Sequence, residues 1–265
     1  MPDDTYTHGH HASVLRSHTW RSVENSAAYL LPHLRPGLSI LDVGCGPGTI
    51  TADLARRVAP GEVLGIDRGA DVVALAAEQH AGVPGLRFEE GDVYALAADD
   101  ASFDVVHAHQ VLQHLSDPVA ALREMGRVCR ADGLVAVRDA DYGAFTWAPL
   151  DPDLDRWLAA YRAVARSNDA EPDAGRHLKR WALAAGFSSV EASASVWCFT
   201  DDADRAWWGG LWADRVVESE LARQLVDRGL ATTDDLGTFA AAFRRWAEAP
   251  DGWFAVLHGE VLARP

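Results

Sequence analysis

Between residues 38 and 140, short apolar runs alternate with stretches of helical spacing, and this alternation restricts the chain more than any other feature. Leu38–Val43, Glu62–Asp67, Leu86–Glu90, Phe103–Ala108 and Leu134–Arg138 read as strands bounded by glycine, proline or polar turn residues. Helical spacing fills 49–58, 70–80 and 118–129 between them. A strand that reaches its neighbour through a helix must cross over the sheet, and right-handed crossovers give a parallel sheet covered on both faces. The expected fold is therefore α/β, a Rossmann-like doubly wound sheet. Before it, residues 12–34 read as a helix within an amino-terminal arm (1–34) that ends near Pro32 and Pro36-Gly37. After it, 153–168, 174–185 and 203–248 read as helical, and 188–199 and 253–262 as strands.

Composition narrows the partners. Lys+Arg 24 against Asp+Glu 39 gives a formal charge of −15, and no basic cluster offsets it. A field of that sign repels phosphate backbones and anionic lipid, so neither nucleic acid nor a membrane is expected as partner. No apolar run approaches the roughly 18 residues of a membrane span, and Met1-Pro2-Asp3-Asp4 lacks a signal-peptide layout. Three cysteines, Cys45, Cys129 and Cys198, are too few and too scattered for a disulfide framework or a zinc site. A single cytoplasmic domain spanning 1–265 is the expectation.

The loop Gly44-Cys45-Gly46-Pro47-Gly48 falls between the first strand and the first crossover helix. Glycines there let the backbone approach a ligand closely and leave the helix N-terminus open to it. Asp67 ends the second strand, where a carboxylate can take both hydroxyls of a ribose. Gly91-Asp92-Val93 follows the third strand and offers an acid and an apolar residue to a base. A dinucleotide fingerprint wants its third glycine one residue later, where Thr49 stands. Asp42, two residues before the first glycine, suits a cationic ligand better than a pyrophosphate. S-adenosylmethionine, with a sulfonium, an ammonium and no phosphate, fits that pattern; a nicotinamide dehydrogenase is the disfavoured rival.

The segments LDVGCGPGT (41–49), GID ending at Asp67, GDV (91–93), FDVVHAHQVLQHLSDP (103–118) and LREMGRVCRADGLVAV (122–137) together resemble the class I S-adenosylmethionine-dependent methyltransferases, nearest the ubiquinone/menaquinone C-methyltransferase-like group. The resemblance implies a seven-stranded sheet whose last strand, 253–262 here, runs antiparallel. It implies S-adenosylmethionine as cofactor and S-adenosylhomocysteine as product, bound by a core over 38–140. Carried over by position, Gly44 and Gly46 face the methionine part, Asp67 the ribose and Arg68 the adenine edge. Asp92 accepts from the adenine amino group, Val93 packs on the ring, and His109 and Gln110 line the methionine side. The segment from Gln110 to His114 resembles E-V-L-E-H of quinone-type O-methyltransferases, where the acids and the histidine serve a metal. Both acids are glutamine here, a poor ligand for a hard cation, so no metal is expected. His114 remains as a base or substrate contact.

Tyr6, His11, Arg16, Trp20 and Arg21 mix aromatic and hydrogen-bonding groups ahead of the core. The arm is expected to close the cofactor site, with Tyr6 and Arg16 toward the cofactor and His11 toward the substrate. Trp147, Trp207, Trp208 and Trp212 fall in segments 141–170 and 201–250, read as helical cap insertions at the carboxyl edge of the sheet, where open α/β sheets bind ligands. They are expected to roof an apolar acceptor pocket; a homodimer contact is the competing use. His114, Asp139 and Tyr142 are the candidates for catalysis, the last two because they follow the fifth strand. The functional expectation is in-line (SN2) methyl transfer to a small, partly apolar molecule. The alternative is a protein of the same fold that binds the cofactor without transferring its methyl group.

Overall fold

The computed structural model describes residues 20–265, so Tyr6, His11 and Arg16 lie outside the described residues. Among those described, eight strands form one sheet: β1 (Ser39–Val43), β2 (Glu62–Asp67), β3 (Leu86–Glu90), β4 (Phe103–His109), β5 (Cys129–Ala140), β6 (Thr146–Ala148), β7 (Ser189–Phe199) and β8 (Trp253–Arg264). β3, β2, β1, β4 and β5 lie side by side and parallel. β8 runs antiparallel between β5 and β7, as expected of the last strand. The expected count of seven rises to eight because Thr146–Ala148 pairs with Trp253–Ala255, a part of β8 that extends past the end of β5.

The chain leaves β1 toward β2 and β3 on one side, and β4 and β5 fill the other. The strand order therefore reverses at β1/β4, and the carboxyl ends of these two strands open a crevice. Strand alternation supplies both faces. Ile40 of β1 enters a core with Val63, Val105, Ala136 and the helix α2 (Thr49–Val58), whereas its neighbour Leu41 enters the opposite core with Val106 and Val135. On that second face the crossover helix α4 (Pro118–Val128) contributes Leu122 and Met125. α3 (Ala70–Gln79) links β2 to β3.

A third core makes the cap. It joins α5 (Pro152–Arg166), α7 (Asp202–Glu218), α8 (Glu220–Asp227) and α9 (Thr233–Glu248), while α6 (Leu178–Ala185) belongs to the sheet. Trp157 and Trp212 are its largest fully buried side chains, with Trp157 edge-on to Trp212 at 4.7 Å between centroids. Two helical readings need correction. Residues 203–248 are three helices, broken at Ser219, which is extended, and restarted by a capping box at Thr232. The described part of 12–34 is likewise not one helix. A capping box at Ser22 opens α1 (Val23–Ser26), Ala27 leaves the helical region at φ −142°, and Ala28–His33 continues as a 3-10 turn containing Pro32.

Candidate active site

The turn after β1 is held in a conformation that glycine adopts freely: φ is +67° at Gly44, +53° at Gly46 and +80° at Gly48. A Cβ on Gly44 would lie 2.4 Å from Cγ2 of Val111, so the turn also packs too closely for a side chain. Asp67, at the end of β2, accepts from the Gly46 amide at 3.0 Å through Oδ2 and from the Gly69 amide at 3.1 Å through Oδ1. Each oxygen keeps a lone pair for a further donor. Beneath the turn Asp42 is almost fully buried and accepts from the Thr51 hydroxyl at 2.6 Å and from His107 Nδ1 at 2.7 Å. Its carboxylate braces the turn to α2 and β4.

One cavity of about 350 Å3 opens at the carboxyl ends of β1, β2 and β4. From the turn and the adjacent strands, Asp42, Gly44, Gly46, Asp67, Arg68 and Val93 border it. His109, Gln110, Gln113 and His114 border it from the end of β4 and the 3-10 turn Leu112–His114. From the cap come Tyr142, Phe145, Trp207, Trp208, Trp212 and Arg215, and from β7 Trp197. Among the described residues, those the sequence singles out for cofactor, base and roof thus line one space, with three exceptions. Trp20 and Arg21 border it as well.

Asp139 is the first exception. Ala140 faces the cavity, and strand alternation turns Asp139 the other way, fully buried beneath the 3-10 turn, where Oδ1 accepts from the Gln113 amide at 3.1 Å. Burial pushes its carboxyl up to about 7, against the pull of backbone donors and of Arg138 and Arg21. It anchors the turn that presents Gln113 and His114 and does not reach the cavity itself. Trp147 is the second: pairing of β6 with β8 stacks its ring on Phe254 at 5.5 Å, inside the cap core. The third, Asp92, turns Oδ1 to the Tyr94 amide at 2.9 Å, while its neighbour Val93 borders the cavity.

The polar wall is ordered by a relay. Arg21 Nη2 donates to Gln110 Oε1 at 2.6 Å, Gln110 Nε2 donates to His258 Nε2 at 2.9 Å, and His258 Nδ1 donates to the Val256 carbonyl at 3.0 Å. Gln110 accepts a left-handed φ of +55° to do this. The relay needs a neutral His258, and burial, with the charges of Arg138 and Arg21, holds its pKa well below the usual histidine value. His109 is held neutral in the same way, by burial first and then by Arg21, Arg138 and His258. Neither of its ring nitrogens has a partner among the described residues. Gln113 donates through Nε2 to His114 Nε2 at 3.0 Å, leaving its buried Oε1 without a partner there. Tyr142 is stacked between Phe145 at 4.3 Å and Tyr161 at 4.1 Å, and burial raises its phenol.

Trp197, Phe145 and Arg215 border the cavity without having been singled out in the sequence. Only Trp197 carried a signal, its place in an alternating strand, and the face it occupies depends on the register of β7 with β8. Among the described residues no group of three or more His, Cys, Asp or Glu side chains could hold a metal. The residues present do fit S-adenosylmethionine: a turn with no room for a Cβ, a carboxylate at the end of β2, and unpartnered buried nitrogen and oxygen atoms on His109 and Gln113, which line the space.

Comparison with known proteins agrees. Residues 34–187 match the family described as "Methyltransferase domain". An uncharacterized methyltransferase of Schizosaccharomyces pombe is 33% identical over 97% of this chain and 95% of its own length. A probable methyltransferase, ltbC, of Aspergillus luteorubrus is 32% identical over 98% of this chain and 97% of its own. The YcgJ protein of Bacillus subtilis shares the fold, with a TM-score of 0.55 at 22% identity over 96% of this chain and 99% of that one. The chain belongs to the methyltransferase-domain family and is a class I, S-adenosylmethionine-dependent methyltransferase.

Proposed function

We propose that this enzyme methylates a small, partly apolar molecule by direct in-line transfer, with cofactor and acceptor side by side in the cavity at the carboxyl ends of β1, β2 and β4. The observation that carries the reading is continuity: the glycine turn and Asp67 border the same space as Trp207, Trp208 and Trp212. When bound, S-adenosylmethionine supplies an electrophilic methyl group on a sulfonium. Asp67 would hold its ribose hydroxyls, with Arg68 and Val93 at the adenine, Asp92 beside them, and Gly44, Gly46, His109 and Gln110 along the methionine part. Asp42 acts through the turn it braces. Residues 38–140 thus bind the cofactor, while 141–170 and 201–250 shape the acceptor side. The resemblance of the motifs of 41–137 supports reading that core as nearest the ubiquinone/menaquinone C-methyltransferase-like group.

The tryptophan walls exclude water and align the acceptor, which suits a transfer whose charge disperses on the way to the transition state. A hydroxyl acceptor would also need its proton taken, and the position of His114 at the cavity border supports it as the base. Tyr142, kept neutral by burial, orients the acceptor as a hydrogen-bond donor. The charge of −15 supports a free small molecule in the cytoplasm over nucleic acid or membrane as the partner. The test is an acceptor screen with S-adenosylmethionine, read by mass. Acceptor-dependent S-adenosylhomocysteine and a methylated product support the reading; cofactor binding with no product from any acceptor supports a non-methylating protein.

A further inference from the structure

His258 does not border the cavity, yet its hydrogen bonds lead to two residues that do, Gln110 and Arg21. The His258 ring is fully buried on β8, opposite Ala140 of β5, with the Trp197 ring centroid 4.3 Å and the His109 ring centroid 6.1 Å away. That packing asks only for a ring; the two nitrogens add a direction. The Val256 carbonyl, 3.0 Å from Nδ1, can only accept, so Nδ1 carries the proton. In a neutral ring Nε2 is then an acceptor, and the Gln110 atom 2.9 Å from it is the amide nitrogen, which donates. This turns Oε1 of Gln110 the other way, where it accepts from the Arg21 guanidinium at 2.6 Å. A reversed amide would set oxygen against the Nε2 lone pair and N–H against the guanidinium, so both contacts would fail together.

We infer that His258 is a positioning residue for cofactor binding: its tautomer sets the sense of the Gln110 amide, and through that amide it holds Arg21 at the carboxyl end of β4. The inference rests on the proposed place of Gln110 along the methionine part. Gln110 follows the last residue of β4, and its backbone amide donates to the Arg138 carbonyl at 2.7 Å. Its φ of +55° is a conformation that a side chain disfavours, and such a backbone persists where its surroundings over-determine it. Three hydrogen bonds do so here, two of them through the side chain. Trp20, next to Arg21, packs on Trp197 and on Trp207 with centroids 5.2 Å away in each case, so the same link fixes the start of the described chain against the cavity. A side chain that meets a ligand binds it best when its rotamer is locked from behind, and His258 supplies that lock from the far end of the sequence.

The experiment reads the tautomer and the affinity separately, on the full-length chain. Long-range proton–nitrogen spectra, with the His258 signals identified by their loss in His258→Gln, should show a neutral ring protonated at Nδ1 near neutral pH. A ring protonated at Nε2, or at both nitrogens, overturns the proposal even if a buried variant fails to fold. Binding of S-adenosylhomocysteine is then measured by calorimetry. His258→Phe keeps a ring and loses the acceptor, and it should weaken binding about fivefold to tenfold. His258→Gln, whose Oε1 can stand in for Nε2 as acceptor, should recover most of that loss. In a Gln110→Met background the Phe substitution should have almost no further effect, because the link it would break is already gone. Equal losses in the Phe and Gln variants, or the same loss with and without Gln110, overturn the proposal, since His258 would then act by packing alone. Native affinity in Gln110→Met overturns it too, without touching the methyltransferase reading; absence of binding to the native chain would instead strike both.

Discussion

Asp42 and His107 are hydrogen-bonded at 2.7 Å in the buried layer beneath the glycine turn, with Thr51 completing the carboxylate from α2. The pair couples β1 to β4, the two strands between which the sheet order reverses. Asp42→Ala strands the His107 ring and the Thr51 hydroxyl away from water. It should lower the unfolding free energy by about 2–4 kcal/mol and weaken cofactor binding through the turn. Denaturant unfolding checks the first effect and calorimetry the second; an unchanged unfolding midpoint would remove the bracing role.

Gly44→Ala meets two obstacles, a φ of +67° and the Val111 methyl 2.4 Å from the new Cβ. Val111→Ala alone should be mild. Combined with Gly44→Ala it should restore only part of the lost cofactor affinity, since it relieves the contact and not the backbone. Full restoration in the double variant would mean that sterics alone govern the turn.

Acid stability follows from His109, His258 and Asp139. In the folded chain both histidines have lowered pKa values, so below about 6.5 the unfolded chain binds protons that the folded one refuses, and stability falls with pH at about 1.4 kcal/mol per pH unit for each. Asp139, raised to about 7, works in the opposite sense: between about 4 and 7 the folded chain holds a proton that the unfolded one has lost. The net effect from pH 6.5 to 5 is a loss corresponding to about one proton. Asp139→Asn should make that loss steeper and His258→Gln should flatten it, measured by denaturant unfolding at several pH values. Identical slopes in all three proteins would contradict the assignment.

Trp207 is only partly buried, so its removal should cost little stability. Trp207→Ala should raise the acceptor KM several-fold while leaving the dissociation constant for S-adenosylmethionine unchanged, once an acceptor is in hand. A shift confined to the cofactor constant would move this residue to the other part of the cavity.

The sequence made the parallel half of the sheet readable because β1, β2, β4 and β5 carry apolar runs and helices with clear stops follow β1, β2 and β4, and the bounds of β3 agree residue for residue. The glycine turn and Asp67 were readable because only a few residue types tolerate those positions. What escaped depends on distant pairing. Asp139 and Ala140 differ by one residue in a strand whose end is fixed by β8, and that parity decides which of them faces the cavity. Trp147 reads as roof until β6 is seen to pair with β8 and to stack it on Phe254. Arg215 and Phe145 carry no local pattern, and only the folding of the cap brings them to the cavity.

Calorimetric titration of the full-length chain and of Asp67→Ala with S-adenosylmethionine tests the account most directly. The account predicts saturable one-to-one binding by the native chain and a loss of about tenfold or more in the variant, because the ribose loses a charged acceptor and Gly46 loses its partner. No binding to the native chain, or equal affinity in the two proteins, would contradict it.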